Sequence, residues 1–263
     1  MLYLVLILRI IFENFLSMTS TLIFKNLEKD TIFQKQWQSY QLVINEDYNH
    51  HRVLYAKLPD YFKNRFLHSF SVLDLGCGDV DYLSRTFANN NMWSLVSAYT
   101  GVDLSEQAVE IGKQNMHPLL EINAAVSFAI GDMLNFVRQA KASSYDVIFS
   151  SIAVHHLRDD DKKELVQEIR RILKANGVFV LIDLFLDEAE DRDDWAMRFV
   201  THIRNSWVKL NSEQIDSYVN HTFNFDFPTK LSIYKNWAEH DSLFADVKCF
   251  DEVGFFKAIV FET

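Results

Sequence analysis

The chain contains few of the residues that interrupt regular structure. It has 263 residues but only 7 glycines and 3 prolines, which predicts long helices and strands joined by short turns. The 2 cysteines, Cys77 and Cys249, are too few and too far apart to indicate a disulfide framework or a zinc site. These features favour one large domain, or one domain with an insertion, in a reducing cytoplasm.

Positive charge is also in short supply. The 26 Lys and Arg residues are outnumbered by 36 Asp and Glu residues, so the net charge is −10 and the isoelectric point lies near 5.3. No cluster of basic residues interrupts this excess. Because an acidic surface repels a polyanion, nucleic acid is not expected as a partner.

No apolar run is long enough to cross a bilayer, so stable membrane insertion is not expected. The strongest candidate, Leu2–Leu8, is followed by Arg9 and has neither a basic start nor a small-residue cleavage site. Two interpretations of residues 1–17 stay open. Translation begins at Met18, or an apolar helix packs on the domain or on a partner in a homodimer.

From Phe70 onward, strand-like and helix-like patterns alternate, which predicts a doubly wound α/β sheet. Short apolar runs predict buried parallel strands at Ser71–Leu75, Ala98–Asp103, Val126–Ile130, Asp146–Ser150 and Gly177–Leu184. The helix before the last of these is predicted to begin at Asp159–Asp161 and to stop at Asn176-Gly177. A helix over Lys230–Glu239 and an antiparallel hairpin of Leu243–Phe250 and Phe255–Phe261 are predicted to follow.

Helical patterns flank this core on both sides. Phe33, Trp37, Tyr40 and Ile44 share one face of a predicted helix, and a second helix is predicted over residues 46–62. Residues 187–227 show no clear strand and are predicted to be mainly helical.

Two of the seven glycines lie together, in the run Val72–Gly78, where an apolar strand enters a turn containing Gly76 and Gly78. Glycine lets a backbone approach a ligand that a Cβ would exclude. The next strand ends at Asp103, whose carboxylate can accept hydrogen bonds from a ribose diol. This pattern is typical of an adenosine-type cofactor at the carboxyl edge of an open sheet.

The turn disfavours a dinucleotide. The sequence fingerprint of dinucleotide-binding proteins requires a third glycine beneath the pyrophosphate, and this chain has Asp81 at that position. An acid at that position would repel the phosphates, whereas a sulfonium cofactor has none. A nicotinamide-dependent oxidoreductase is therefore the weaker hypothesis.

Five motifs in order resemble the class I S-adenosylmethionine-dependent methyltransferases. They are Val72–Gly78, Tyr99–Asp103, Ile130–Met133, Tyr145–Leu157 and Arg171–Gly177. One departure is Val80, where many members have another glycine. The resemblance implies a Rossmann-like fold with a mostly parallel seven-stranded sheet, and S-adenosylmethionine as cofactor with S-adenosylhomocysteine as product.

The same resemblance implies roles for residues along the sheet edge. Asp74 and the Gly76–Gly78 backbone would hold the methionine end, Asp103 the ribose, and Asp132 and Met133 the adenine. The predicted cofactor-binding residues are Asp74, Gly76, Cys77, Gly78, Asp103, Leu104, Asp132, Met133 and Ser150. A competing interpretation of Asp132 is a helix cap.

The motifs say less about which residues would contact the methyl acceptor. His155 is the predicted catalytic residue, as a proton acceptor, and the alternative is that His155 and His156 are structural. The predicted substrate-side residues are Tyr48, His51, Arg52, Tyr55, His156, Asp183, Trp195 and Phe199, for which simple packing is the alternative. No metal site is predicted, because neither histidine pair shows helical i, i+4 spacing with an acid.

The predicted layout is an apolar segment (1–17), a helical lid (18–66), a cofactor-binding core (67–186), a helical insertion (187–227) and a C-terminal helix and hairpin (228–263). The predicted function is cytoplasmic methyl transfer from S-adenosylmethionine to a small molecule. A non-catalytic sensor or partner subunit that binds the same cofactor is the alternative.

Overall fold

A computed structural model describes residues 37–122, 124–239 and 242–263. These fall into two compact units that divide between Glu46 and Asp47. In the first unit, residues 37–45 are helical, and the rings of Trp37 and Tyr40 lie 5.3 Å apart. Phe33 and the segment 1–17 lie outside the described residues, so the predictions for them stay open.

The second unit, residues 47–263, alternates strands and helices. Its strands are β1 Phe70–Leu75, β2 Val96–Asp103, β3 Ala125–Ile130, β4 Tyr145–Ser151, β5 Leu173–Leu186, β6 Thr229–Lys230, β7 Asp246–Val253 and β8 Phe256–Glu262. Its helices are α1 His51–Leu54, α2 Leu58–Arg65, α3 Asp81–Asn89, α4 Glu106–Asn115, α5 His117–Glu121, α6 Met133–Gln139, α7 Asp159–Ile172, α8 Arg192–Ser206, α9 Ser212–Phe225 and α10 Leu231–Glu239. Short 3₁₀ turns occupy Trp93–Leu95 and Val154–His156.

The strands form one sheet in the order β3-β2-β1-β4-β5-β8-β7. The pairs from β3 to β5 are parallel, whereas β8 is antiparallel to both β5 and β7. The chain winds outward from β1 to β3 and then returns to β4 on the other side of β1. In open α/β sheets, the crevice at such a reversal is where ligands bind.

The predicted doubly wound sheet with its C-terminal hairpin is confirmed. The hairpin turns through Gly254 at φ 58, a left-handed conformation that glycine adopts without steric cost. An eighth strand, β6, extends the predicted seven by pairing with the end of β5. Two residues are too few to show the alternation of apolar and polar side chains that marks a strand in a sequence. The helix predicted over Lys230–Glu239 includes Lys230, which lies in β6 instead.

The single helix predicted over residues 46–62 is wrong. The backbone takes left-handed conformations at Asp47 (φ 58) and His50 (φ 55), which end helical geometry. Two short helices, α1 and α2, replace it, and Pro59 lies in the first turn of α2, where its missing N–H costs no hydrogen bond.

The helix predicted to stop at Asn176-Gly177 ends earlier. Leu173 already has extended dihedrals and opens β5. The pairing of β4 with β5 shifts between Tyr145 and Val147, where several residues of β5 bulge out of register. The Asn-Gly pair therefore lies in an irregular strand rather than at a helix cap.

Alternation along the strands separates the two faces of the sheet. Leu73, Ile148, Phe179 and Phe261 are buried on the face that packs against α6, α7 and α10. Val72, Asp74 and Phe149 belong to the opposite face. None of the helices in the described ranges is long and apolar enough to cross a membrane.

Gly101 and Gly131 differ in the space that an added methyl group would find, and Gly101 pairs with Asp74 on the face opposite Leu73. A Cβ added to Gly101 would lie 2.7 Å from the ring of Phe128 and 2.9 Å from Sγ of Cys77, whereas nothing lies within 4 Å of one added to Gly131. We expect Gly101→Ala to lower the free energy of unfolding by about 1–3 kcal/mol, because the core must shift to accept the methyl group. Urea denaturation followed by circular dichroism measures this change.

The matched control is Gly131→Ala, which should leave stability within about 0.5 kcal/mol of the parent. Equal stability of the two variants would contradict the packing described for β2 and β3.

Candidate active site

The turn after β1 brings two strand ends together. Gly76 and Gly78 have left-handed dihedrals, with φ of 71 and 52. The backbone N–H groups of Gly76 and Cys77 both donate to the carbonyl of Val102, at 2.8 and 3.0 Å. A Cβ on Gly76 would lie 2.3 Å from Cβ of Ala153, so the turn and the loop after β4 pack closely only because Gly76 has no side chain.

Asp103, at the end of β2, is tied directly to this turn. Its Oδ2 accepts a hydrogen bond from the N–H of Gly78 at 2.8 Å, and its Oδ1 accepts one from Ser105 at 2.8 Å. The carboxylate is partly exposed. Each oxygen has a second acceptor position, so the group can bind a diol while the backbone holds it in place.

Asp74 is buried beneath the same turn, with 3% of its surface exposed. The hydroxyl of Tyr99 donates to its Oδ2 at 2.8 Å. Burial raises the pKa of Asp74 to about 7, and the charge of Asp103 adds to the increase, although the hydrogen bond from Tyr99 opposes it. A buried carboxyl in this state strongly favours a cationic partner.

The adjoining strand ends complete the edge. Asp132 caps α6 by accepting a hydrogen bond from the N–H of Asn135 at 2.8 Å, as the competing interpretation predicted. The methyl carbon of Met133 lies 3.5 Å from where a Cβ on Gly76 would be. Leu104 (74%) and Ile130 (53%) expose apolar side chains just after β2 and at the end of β3.

Two buried contacts accompany the turn. The hydroxyl of Ser150 donates to the carbonyl of Leu75 at 2.7 Å and joins β4 to β1 at the reversal point. Cys77 is buried, and burial together with Asp74 and Asp103 raises the pKa of its thiol. The thiol is therefore a neutral packing group and contributes to the turn chiefly through its backbone.

Two β-branched residues beside the site have left-handed backbones. Val80 has φ 58 and Ile152 has φ 53. Such residues avoid this region at a cost of about 1–2 kcal/mol. Val80 stands where many methyltransferases have glycine, and its buried side chain packs against Gly112, which offsets part of that cost.

Aromatic rings cover the Asp74 face of the turn. Tyr55 lies edge-on to Tyr82 and to Phe149, with ring centroids 4.9 and 5.6 Å apart, and His51 lies 4.8 Å from Tyr82. The Nδ1 of His51 is buried without a hydrogen-bond partner, and burial lowers the pKa of this imidazole to about 4. We call His51, Tyr55, Tyr82 and Phe149 the aromatic wall.

His155 lies between two carboxylates. Its Nδ1 is 2.5 Å from Oδ1 of Asp183, its backbone N–H donates to Oδ2 of the same residue at 2.8 Å, and its Nε2 is 3.5 Å from Oδ1 of Asp226. Burial alone would lower the pKa of His155, but Asp183 and Asp226 outweigh it and raise that pKa to about 10. Both ring nitrogens therefore face carboxylates, an arrangement that favours a positioning role over proton acceptance.

The other predicted substrate-side residues include two buried aromatic residues, one exposed arginine and one stacked tyrosine. Trp195 (0% exposed) and Phe199 (4%) pack against Phe255 of the C-terminal hairpin, as the packing alternative predicted. Arg52 points outward and pairs with Asp47 at 3.6 Å. Tyr48 stacks on Trp207, with centroids 5.1 Å apart, and joins the start of the second unit to the insertion.

Several residues of the site were not predicted. A tyrosine in a buried strand needs a hydrogen-bond partner, and this requirement could have associated Tyr99 with Asp74. Tyr82, His221 and Asp226 gave no such signal. His221 and Asp226 are distant in the sequence from the His155-His156 pair and contact it only in the folded chain. The N–H of Phe227 donates to the carbonyl of His155 and so holds the end of α9 beside the loop after β4.

Comparison with known proteins agrees with this geometry. Residues 72–177 match the family model of a methyltransferase domain. The demethylmenaquinone methyltransferase of Leptospira interrogans is 30% identical over 148 residues, 56% of this chain and 53% of that protein. The tRNA (carboxymethyluridine(34)-5-O)-methyltransferase of Arabidopsis thaliana is 26% identical over 185 residues, 64% of this chain and 38% of that protein.

A solved structure shares the fold. An O-methyltransferase family protein from Burkholderia thailandensis aligns with a TM-score of 0.54 at 14% identity, covering 82% of this chain and 58% of that one. The chain spans about half the length of the Leptospira relative and less of the Arabidopsis one.

The sheet order and the glycine turn at the reversal point define a Rossmann-like fold, which the Burkholderia structure shares. The match of residues 72–177 to a methyltransferase domain, together with the Leptospira relative, supports the predicted resemblance to the class I S-adenosylmethionine-dependent methyltransferases.

The buried carboxyl of Asp74 makes stability depend on pH. Because its folded pKa of about 7 exceeds the usual aspartate value, the folded state binds the proton more tightly than the unfolded state does. Its contribution to stability is complete at low pH and is lost as pH rises towards 7. Relative to Asp74→Asn, the parent protein should lose about 2–3 kcal/mol of unfolding free energy between about pH 5 and about pH 8.

Urea denaturation of the ligand-free proteins at both pH values measures this difference. The comparison cancels the other titrating groups, and the asparagine can still accept the hydrogen bond from Tyr99. A stability difference that is the same at both pH values would contradict the burial of an ionisable Asp74.

Proposed function

We propose that this chain binds S-adenosylmethionine at the glycine turn and transfers its methyl group to a small-molecule acceptor, with release of S-adenosylhomocysteine. The observation that carries the proposal is the Asp103 carboxylate. It is fixed by Gly78 and Ser105, remains partly exposed, and is hydrogen-bonded to the turn after β1, beside the reversal point of the sheet. The family match supports this reading of the edge.

The residues present fit that cofactor. The left-handed backbone at Gly76 and Gly78 turns the chain sharply after β1, and the hydrogen bond from Gly78 holds the Asp103 carboxylate at this turn. Asp74 provides a buried carboxyl that favours the cationic amino group of a methionine moiety. The exposed side chains of Leu104 and Ile130 offer apolar contacts on either side of a flat base.

S-adenosylmethionine, when bound, supplies a methyl group already activated by its sulfonium, so the protein contributes orientation and exclusion of water. Asp103 would hold the ribose hydroxyls, and Asp74 with the Gly76–Gly78 backbone the methionine end. Asp132 remains available through its second oxygen while it caps α6. Met133, close to Gly76, would pack against the adenine.

The aromatic wall is the proposed acceptor surface. Tyr55 is close enough to the cofactor edge that Asp74 contributes to raising the pKa of its hydroxyl, after burial. Tyr82 remains partly exposed, and His51 carries a buried nitrogen with no partner and a neutral ring at pH 7. These features suit a small aromatic acceptor with a polar group, and the name of the Leptospira relative gives demethylmenaquinone as the acceptor of that protein.

A small molecule is proposed over a nucleic acid because of charge. The net charge of −10 disfavours a polyanion, although the Arabidopsis relative is named for a tRNA substrate. Asp183 and His155 are proposed as positioning residues that hold the loop after β4. The two cysteines are free, which supports the proposal of a cytoplasmic protein.

Calorimetric titration tests the cofactor proposal. S-adenosylmethionine and S-adenosylhomocysteine should bind the full chain with micromolar affinity, and NAD should not bind. Asp103→Ala should weaken both adenosyl ligands by about 10- to 100-fold, because it removes hydrogen bonds to a charged acceptor.

The control is Asp81→Ala, which removes a neighbouring, partly exposed carboxylate that pairs with Arg85 at 2.5 Å. Its affinity should match that of the parent. Failure of either adenosyl ligand to bind, or equal loss in both variants, would overturn the assignment of Asp103. Binding without product in a screen of phenolic and quinol acceptors would instead favour the sensor hypothesis.

A further inference from the structure

Three imidazole rings converge on one carboxylate oxygen outside the cofactor edge. Oδ1 of Asp226 lies 3.5 Å from Nε2 of His155, 3.5 Å from Nδ1 of His156 and 3.3 Å from Nε2 of His221. The same oxygen is buried and has no hydrogen-bond partner. We propose that His155, His156, His221 and Asp226 bind a divalent transition-metal ion, with Zn²⁺ as the best match to their donor atoms.

The spacing of the donor atoms suits a metal better than direct hydrogen bonds. Ordinary N–H···O bonds span about 2.7–3.2 Å, shorter than all three distances to Asp226. Tetrahedral zinc with bonds of about 2.0–2.1 Å holds neighbouring donors about 3.3–3.4 Å apart, which matches them. The donor atoms of His155, His156 and Asp226 all lie within 4.8 Å of one another.

Surrounding contacts fix His155 and Asp226 in place, whereas Nδ1 of His156 lies 3.2 Å from the carbonyl of Phe225, a contact that a metal ion would replace. Asp183 contacts Nδ1 of His155, which leaves Nε2 directed at Asp226, the arrangement found when a carboxylate orients a metal-binding histidine. Nε of Arg192 donates to the backbone carbonyl of Asp226 at 2.8 Å. The ammonium of the buried Lys162 donates to the carbonyl of Phe227 and, at 2.8 Å, to the hydroxyl of Thr229, and so anchors the segment that carries Asp226.

The charges also favour a cation. Asp183 and Asp226 are 1% and 3% exposed, and buried carboxylates are costly unless they are paired or bind a metal. A cation bound between the imidazoles would balance this negative charge.

One side of the site faces solvent. The side chains of His156 and His221 are 43% and 47% exposed, whereas those of His155 and Asp226 are almost fully buried. A metal ion can therefore enter from solvent. Four protein ligands fill a tetrahedral coordination sphere, so the ion would join the loop after β4 to the segment that carries His221 and Asp226.

The test uses the full chain, purified without a histidine tag and treated with a chelator. Titration with Zn²⁺ should give one high-affinity site per chain, and Co²⁺ should give the visible absorption of a low-symmetry nitrogen and oxygen complex. His156→Ala and His221→Ala should each weaken Zn²⁺ binding by at least about 100-fold, more than loss of an outer contact does. Both side chains are exposed, so neither variant should unfold.

The matched control is His117→Ala, which removes another exposed histidine lying 3.6 Å from a carboxylate, that of Glu121. It should retain the parent affinity and cobalt spectrum. Asp226→Asn should lose both signals, provided that its circular dichroism spectrum is native. Absence of a one-to-one site in the parent, or parental affinity in both His156→Ala and His221→Ala, would overturn the proposal. Titration of S-adenosylhomocysteine into the metal-free protein keeps this test separate from that of the cofactor.

Discussion

The arrangement of the site depends on one close approach, between the turn after β1 and the loop after β4. A Cβ on Gly76 would lie 2.3 Å from Cβ of Ala153, so any other residue would force the two segments apart. Because the sheet reverses its winding between these strands, their carboxyl ends form the crevice in which a ligand can lie. Asp103, Met133 and the aromatic wall are all positioned relative to that contact.

Buried ionisable groups then divide the region into two electrostatic environments. At the turn, burial holds the pKa of Asp74 near 7, so this half favours a cation that a cofactor can bring. Farther along the edge, Asp183 and Asp226 surround His155 and favour a cation held by imidazoles. The buried Asp74 costs stability at neutral pH in the absence of a partner, and such costs are common where a protein prepares a site for binding.

Features that are marked by neighbouring residues could be predicted from the sequence, whereas contacts between residues distant in the sequence could not. Strands β1 to β5 and the hairpin were predictable because buried strands are marked by local apolar runs. The breaks at Asp47 and His50 were not, because non-glycine residues with left-handed backbones leave no compositional mark. The cofactor edge was predictable since its residues follow strands directly, whereas His221 and Asp226 reach His155 only through tertiary folding. Trp195 and Phe199 illustrate the ambiguity of aromatic residues, which serve packing as readily as binding.

A crystal structure of the chain with S-adenosylhomocysteine would show where the cofactor binds. The ribose hydroxyls should lie within hydrogen-bonding distance of the Asp103 carboxylate, and the amino group of the homocysteine should lie beside Asp74. The sulfur should face the aromatic wall. A ligand bound elsewhere on the sheet, or one whose ribose makes no contact with Asp103, would contradict the proposed cofactor site.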